Sequence, residues 1–408
     1  MSENIDLPVS VAELLGVFRA AGADAYVVGG AVRDSLIGSA VHDWDVAAPL
    51  PPGKTAALFT AHGYRVIPTG IKHGTVTVIS HGEPVEVTAF RLDGSYTDGR
   101  HPDRVEFTTL IEDDLARRDF TVNAMAYSPW LGVCDPFGGR EDLLRGIIRC
   151  VGDARTRFTE DALRILRAFR FAARLGFEID GETRAAAHGL ASRLSLISAE
   201  RIAAESTKLF LSARPARYLE DAAVCGVLGY VFPGIPLSDG DFRTADLLPA
   251  DAPLRIGAVL RRTGLCDPAA VRTALETLRL SNSFLRRALA AATLPLPEPD
   301  GCAVRRFMRE AGNADAAISA AVACGEPRAG EVAAIAETVA AEGGPVTMRT
   351  LAVNGKKLRA MGFPAGREMG GLLDALLEAA TADPSINNEE ALLRLACEIG
   401  NKNGKKDI

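Results

Sequence analysis

From Thr159 onward the chain carries almost no β signal, and this asymmetry limits its fold more than any other feature of the sequence. Ala-, Leu- and Arg-rich segments follow one another as a string of helices. Clusters of Gly, Pro and Asp part them near Arg214-Pro215, at Leu294 to Gly301 and at Gly343-Gly344-Pro345. The first 150 residues read differently. Ser10-Val11-Ala12-Glu13 has the spacing of a capping box before a helix running to about Ala21. Ala25-Tyr26-Val27-Val28 is a short buried strand that stops at Gly29-Gly30, and Trp44-Asp45-Val46-Ala47 is the next. Gly74 to Ser80 and Pro84 to Phe90 are β-rich runs about His81-Gly82-Glu83, which is the pattern of a hairpin. A sheet at one end with helices filling the rest means α+β, not alternating βαβ units.

Composition excludes several classes. With 46 Lys and Arg against 52 Asp and Glu the formal charge is −6, so a globally basic coat for nucleic acid is ruled out while a local basic groove is not. No apolar run approaches the length of a membrane span, and the first residues lack the basic-then-apolar order of a signal peptide. The seven cysteines are an odd number and stand at least 16 residues apart. That spacing speaks against zinc knuckles, redox pairs and a disulfide framework, and points to a reducing cytoplasm.

Four constellations carry chemistry. In Val27-Val28-Gly29-Gly30-Ala31-Val32-Arg33-Asp34, two glycines between a strand and a short helix let backbone amides approach a phosphate, with Arg33 within a turn. A tight strand-to-helix turn gives the same pattern, so this piece alone decides little. In His42-Asp43-Trp44-Asp45, positions i and i+2 of a strand turn two carboxylates to one side, an arrangement unfavourable without cations and suited to Mg²⁺. Glu86 interrupts the apolar run Val85-Glu86-Val87 and is a third acid for such a site. Arg117-Arg118-Asp119-Phe120-Thr121-Val122-Asn123-Ala124 offers an Arg pair for phosphate or ribose. Finally, the segment Arg155 to Gly176 carries a helix with Thr159 as its N-cap and Gly176 just past its end. At 100° per residue, Arg164, Arg167, Arg170 and Arg174 share one arc. Six Arg stand against two acids between Arg155 and Arg174, a stripe of nearly pure Arg where solvated faces mix signs.

Taken in order, Gly29-Gly30-x-x-Arg33-Asp34, Asp43-x-Asp45, Arg117 to Ala124, Glu160-Asp161-x-x-Arg164 and Ser198-Ala199-Glu200-Arg201-Ile202 resemble the class II tRNA nucleotidyltransferases. These are the CCA-adding enzymes and their relatives the bacterial poly(A) polymerases. The match covers roughly residues 20–210, and weaker similarity at Leu351 to Gly355 and Gly362 to Gly366 extends it toward the tail. The resemblance implies a nucleotidyltransferase head with a mixed β-sheet over 1–152, then an all-helical neck (153–214, base recognition), body (215–300) and tail (301–408, tRNA binding). It implies that Asp43 and Asp45 bind Mg²⁺ and that Glu86 is the third active-site carboxylate. Nucleotide-binding positions carry over to Gly30, Arg33, Arg118, Asp161, Arg164, Arg167 and Arg170, beside the Gly29 amide.

The expected reaction adds C, C and A to the tRNA 3′ end from CTP and ATP, with release of pyrophosphate and no template. Without a template the protein must read the base. Asp161 offers only acceptors and Arg164 only donors, which matches the exocyclic amine and ring nitrogen of cytosine and adenine and mismatches uracil and guanine. The polar, Gly-rich segment from Asp93 to Pro102 resembles the loop the family needs for the final A. Poly(A) polymerase, addition of A alone and, from another class, a silent RNA-binding paralogue are the competing readings. A long basic C-terminal extension would favour poly(A) polymerase, whereas only Lys402, Lys405 and Lys406 mark the end here. All six His lie at or before His188, so the C-terminal half carries no His-rich phosphohydrolase site of the kind some relatives have. Neither RNA contacts in the helical half nor the oligomeric state are legible.

Overall fold

The computed structural model describes residues 4–71, 74–93, 105–237, 241–264 and 267–403. The chain packs as two units, Met1–Pro233 and Gly234–Ile408. The first opens with helix α1 (Val9–Ala20), whose Val11, Leu14, Leu15 and Phe18 form one buried face at helical spacing. The expected capping box does not form. The helix starts two residues early, after Pro8, and the Ser10 hydroxyl donates instead to Glu83 Oε2 at 2.9 Å.

Strand β1 (Tyr26–Val28) is buried along its whole length and runs through the middle of a mixed sheet. Helix α2 (Gly30–Leu36) follows it, then β2 (Asp45–Ala48), α3 (Pro52–Ala61), β3 (Arg65–Gly70), β4 (Thr75–Ser80) and β5 (Glu83–Ala89). β4 and β5 form the expected hairpin. His81 and Gly82 both have positive φ (52° and 82°), the mirror-type turn whose twist matches its strands. β6 (Arg91–Asp93) and β7 (Val105–Phe107) pair antiparallel as a separate ribbon. The segment from Gly94 to Pro102, expected to act in the final A step, lies outside the described residues. After α4 (Ile111–Ala116) and a 3₁₀ turn over Thr121–Asn123 come β8 (Ala126–Ser128) and β9 (Gly132–Cys134). Among the described residues the sheet order is β3-β4-β5-β2-β1-β8-β9. Its one parallel pairing, β2 with β5, sets Asp45 beside Glu86. β3, an edge strand with no buried residue, was not legible as a strand.

Helix α5 (Gly139–Arg145) and the two-residue strand β10 (Ile147–Ile148) lead out of the sheet region. The helix expected after Thr159 starts three residues later, as α7 (Leu163–Leu175), and is preceded by a separate helix, α6 (Ala154–Glu160), capped by Asp153. Thr159 is therefore interior, not a cap. Asp161 between them is extended (φ −143°, ψ 104°), and its Oδ1 accepts from Leu163 N at 3.0 Å to start α7. Gly176 ends α7 in the left-handed region at φ 75°, as expected. β11 (Glu178–Ile179) pairs with β10, a small exception to the all-helical expectation. α8 (Gly181–Leu190), α9 (Ala199–Phe210), α10 (Ala216–Val224) and α11 (Leu228–Val231) complete this unit.

The second unit is helical: α12 (Ala252–Arg262), α13 (Pro268–Glu276), α14 (Asn282–Thr293), α15 (Gly301–Glu310), α16 (Ala314–Ala323), α17 (Ala329–Ala341), α18 (Gly355–Ala360), α19 (Arg367–Ala382) and α20 (Glu389–Asn403). α12 and α14 approach closely at Gly257, where a Cβ would stand 2.4 Å from that of Ala291. Val353, Leu358, Leu376 and Leu392 centre a separate apolar cluster among α18, α19 and α20. No helix among the described residues is long and apolar enough to cross a membrane.

Candidate active site

The glycine pair is where the site begins. β1 ends at Gly29, whose φ of 72° and ψ of −127° suit only glycine. A Cβ there would stand 2.8 Å from Arg118 Nη1, so the turn and the guanidinium occupy the space together. One turn into α2, Arg33 is almost fully buried. Burial pushes its pKa down while Asp34 beside it opposes the shift, and as a guanidinium it keeps its charge. Its Nε donates to Asp34 Oδ1 at 2.7 Å, and Asp34 Oδ2 in turn accepts from Arg174 at 2.9 Å.

The Arg-Arg-Asp-Phe-Thr-x-Asn block folds as a support for this charge. Asn123 accepts from Arg33 and donates to Asp119 Oδ1 at 3.1 Å. Asp119 Oδ2 takes Nε and Nη2 of Arg167 at 2.8 and 2.6 Å. Burial alone would raise the Asp119 pKa; Arg167 and the Asn123 amide outweigh it and hold the carboxylate below its usual range. Arg118 donates to Asp114 Oδ2 at 3.1 Å, and Arg117 binds the other oxygen at 2.7 Å.

On α7 the arginine stripe faces this network. Arg164 Nη1 donates to Glu160 Oε2 at 2.6 Å and Nη2 to the Arg117 carbonyl at 3.0 Å. Arg170 pairs with Glu205 of α9, which Arg167 also approaches at 3.6 Å. Arg33, Arg167 and Arg170 all stand over the Phe171 ring, at 5.4, 5.2 and 3.9 Å from its centroid. Asp161, placed by the break between α6 and α7, gives its Oδ2 to Arg201 of α9 at 2.6 Å.

These side chains meet around one cavity of about 590 Å³. Gly29, Gly30, Arg33, Asp43, Asp45, Arg118, Asp161, Arg164, Arg167 and Arg170 all line it. Glu86 does not; it lines a neighbouring cavity that shares Asp43 and Asp45. Asp43 lies ahead of β2 and not on it, so the same-strand argument places only Asp45. Asp45 is exposed, yet its carboxyl is pushed above the usual range by desolvation first, then by Glu86 and Asp43, with Arg118 opposing. Arg174, Arg201, Asp119, Asn123, Leu163 and Phe171 complete the described lining. Of these, Phe171 was not singled out, although at 100° per residue it falls inside the arc of Arg164, Arg167, Arg170 and Arg174 and is the aromatic among them. Glu205 was missed too, although it stands one turn after Arg201 on α9.

Crowded carboxylates facing a dense guanidinium wall suit a polyanion held by cations. Comparison with known proteins agrees. Residues 25–149 match the Poly A polymerase head domain family, and 176–237 match the probable RNA and SrmB-binding site of polymerase A. The CCA-adding enzyme of Lactiplantibacillus plantarum is 34% identical over 94% of both chains, and that of Geobacillus kaustophilus 36% over 93% of this chain and 95% of its own. The Leuconostoc mesenteroides CCA-adding enzyme is 46% identical, over 54% of this chain and about half (53%) of that relative. The crystal structure of the Bacillus stearothermophilus CCA-adding enzyme in complex with CTP superposes with a TM-score of 0.79 at 32% identity, covering 97% of this chain and 98% of the other. Each of these full-length similarities includes the sheet and the helices after it, and the chain belongs to the CCA-adding enzyme family.

Proposed function

We propose that this chain adds C, C and A to the 3′ end of tRNA from CTP and ATP without a template, releasing pyrophosphate. The observation that carries the reading is a single cavity that holds the Asp43 and Asp45 carboxylates, the arginines for a triphosphate, and the Asp161–Arg164 pair for a base. Arg33, Arg118, Arg167 and Arg170 hold the triphosphate by charge, with the Gly29 and Gly30 backbone close against it. Asp161 accepts from the exocyclic amine of cytosine or adenine. Two of its roughly four lone-pair directions are used by Leu163 N and Arg201, which fixes where the others point.

The donor set fits Mg²⁺. Asp43 and Asp45 supply only oxygen, and desolvation first, then the nearby Glu86 and Asp43 charges, push the Asp45 carboxyl above its usual range. Among the described residues no three His, Cys, Asp or Glu side chains close a metal cage. Mg²⁺ is ordinarily bound by one or two carboxylates plus substrate phosphates, so two acids are the expected protein share. Bound there, the metal would lower the pKa of the RNA 3′-hydroxyl and offset charge on the phosphates. Glu86, level with Asp45 on the adjacent strand, adds negative potential that favours the cation.

In this reading the head ends at 152, the neck at 214 and the body at 300, each limit falling between helices or strands. The cysteines described are all free, which supports a reducing cytoplasm as the setting. The test is incubation of the pure protein with tRNA ending at the discriminator base, with labelled CTP and ATP separately and together. Addition of CC from CTP and of one A when both are present is expected. A long A ladder from ATP alone would make it a poly(A) polymerase, and A added only to tRNA-CC an A-adding enzyme. Asp45→Ala should abolish transfer, on the order of a thousandfold for several kcal/mol of transition-state stabilisation, with tRNA binding kept. Normal turnover by Asp45→Ala would overturn the metal assignment.

A further inference from the structure

The second cavity, about 760 Å³, meets the first at Asp43 and Asp45, which line both. Its remaining character is opposite. Where the first cavity is walled by arginines, the second has His42, Trp44, Thr77, Pro84 and Glu86, and no Arg or Lys among its described lining. Thr77, Glu86 and Asp45 are register partners across β4, β5 and β2, so their side chains share one face of the sheet. Trp44, just before β2, is only half-buried and is the one Trp, Tyr or Phe among the cavity's described lining.

A cavity whose described lining has several carboxylates and no Arg or Lys disfavours phosphate but receives sugar hydroxyls, which are donors, and a base. In-line phosphoryl transfer sets the attacking and leaving oxygens on opposite sides of phosphorus. The leaving pyrophosphate is the more anionic partner and belongs on the guanidinium side. The attacking hydroxyl must therefore reach the same carboxylates from the other cavity. The acceptor's last base also changes as addition proceeds, from the discriminator to C and again to C, so its seat cannot rely on base-specific hydrogen bonds. An aromatic face meets that need, because every base has a π-surface to stack.

We infer that this second cavity seats the terminal nucleoside of the RNA acceptor, its base against the Trp44 indole and its 3′-oxygen toward Asp43 and Asp45. The inference rests on the reading of those carboxylates given above and adds the acceptor's side of the reaction. Trp44 is a positioning residue for whichever base ends the RNA, and it has no part in choosing the incoming nucleotide.

The chain has two tryptophans, which gives a direct readout. Trp130 lies in the turn between β8 and β9, half-exposed, with Arg19 at 6.0 Å, and does not line either cavity. Trp130→Phe leaves Trp44 as the sole indole. Titrating this variant with tRNA ending in CC, without nucleotide or metal, should quench its emission saturably. CTP alone, and a tRNA shortened by several acceptor-strand nucleotides, should leave it unchanged. In kinetics, Trp44→Ala should lower kcat/KM for the acceptor about five- to hundredfold, the range lost when a base-stacking aromatic is truncated, and leave the CTP KM unaltered. Trp44→Phe should recover most of it. Unchanged emission while filter retention shows tRNA-CC bound would overturn the proposal, as would a defect confined to the CTP KM. Failure of the carboxylate reading looks different: Asp45→Ala would stay active while the Trp44 quench still reported on the cavity.

Discussion

Arg201 on α9 donates to Asp161 Oδ2 at 2.6 Å, across 40 residues of sequence, and so aims the carboxylate proposed to read the incoming base. Neither group is far from solvent, with side chains 23% and 16% exposed, so the bond's value is in direction more than in stability. Asp161 is extended backbone between two helices, and without Arg201 only the Leu163 N–H bond to Oδ1 would hold its carboxylate. Asp161→Ala is expected to relax discrimination against UTP and GTP, by about five- to a hundredfold for one lost base contact. Arg164→Ala should weaken CTP and ATP together. Arg201→Met should resemble Asp161→Ala in direction but fall short of it, because the acceptor remains and only its aim is lost. Single-turnover incorporation of all four nucleotides checks this. Full C and A preference in all three variants would place recognition elsewhere.

Gly29→Ala tests the close approach at the start of α2. The residue would adopt a backbone conformation that costs about 1–3 kcal/mol outside glycine, and its Cβ would push against Arg118 Nη1. Melting temperature should fall, and the KM for CTP and ATP should rise together as the guanidinium is displaced. A drop in stability with both KM values intact would mean Arg118 does not hold the triphosphate.

Much of this site is legible in the sequence itself. Gly29-Gly30, Asp43-x-Asp45 and the arginine stripe are local patterns whose spacing survives folding, and the structure gathers them at one cavity. What escaped was of two kinds. The break at Asp161 was hidden because Glu160 to Ala162 contains neither Gly nor Pro, so the helical period runs through it unbroken. The Asp161–Arg201 and Arg170–Glu205 pairs were hidden because they join residues on different helices, which no periodicity records. The head strands near Tyr26 and Val85 read correctly since their apolar runs are buried in the sheet, while exposed β3 has no such signature.

Asp119 ties acid stability to the site. Its pKa is held below the ordinary carboxylate value, so the folded state binds the proton less readily than the unfolded one. Its contribution is present above the unfolded pKa, near 3.8, and is lost as pH falls through the lower folded value. Asp119→Asn should cost about 2–3 kcal/mol at pH 7, less than a fully buried pair because Arg167 is 33% exposed. The gap between variant and parent should close toward pH 2. Denaturant unfolding at both pH values measures it, and a gap that stays constant would exclude the ion pair as its source.

Phe171 is the last element to test, because one ring serves three guanidinium groups of the proposed triphosphate wall. Arg170 sits 3.9 Å from its centroid, with Arg167 and Arg33 at 5.2 and 5.4 Å, and Phe120 meets it edge-on at 5.8 Å. Like charges this close repel, and the ring's negative faces offset part of that cost, about 0.5–2 kcal/mol per contact. Phe171→Leu keeps the apolar volume but removes the quadrupole. The arginines should then spread toward their acidic partners Asp119 and Glu205 and leave the cavity. The KM for CTP and for ATP should rise together, several-fold or more, while kcat at saturating nucleotide changes less. Phe171→Tyr keeps the π-face and should restore both KM values. The melting temperature serves as the control, since a packing defect alone would lower it for Leu without moving KM. If Leu and Tyr variants bind both nucleotides as the parent does, the ring is core and the arginines hold their places through their carboxylates alone.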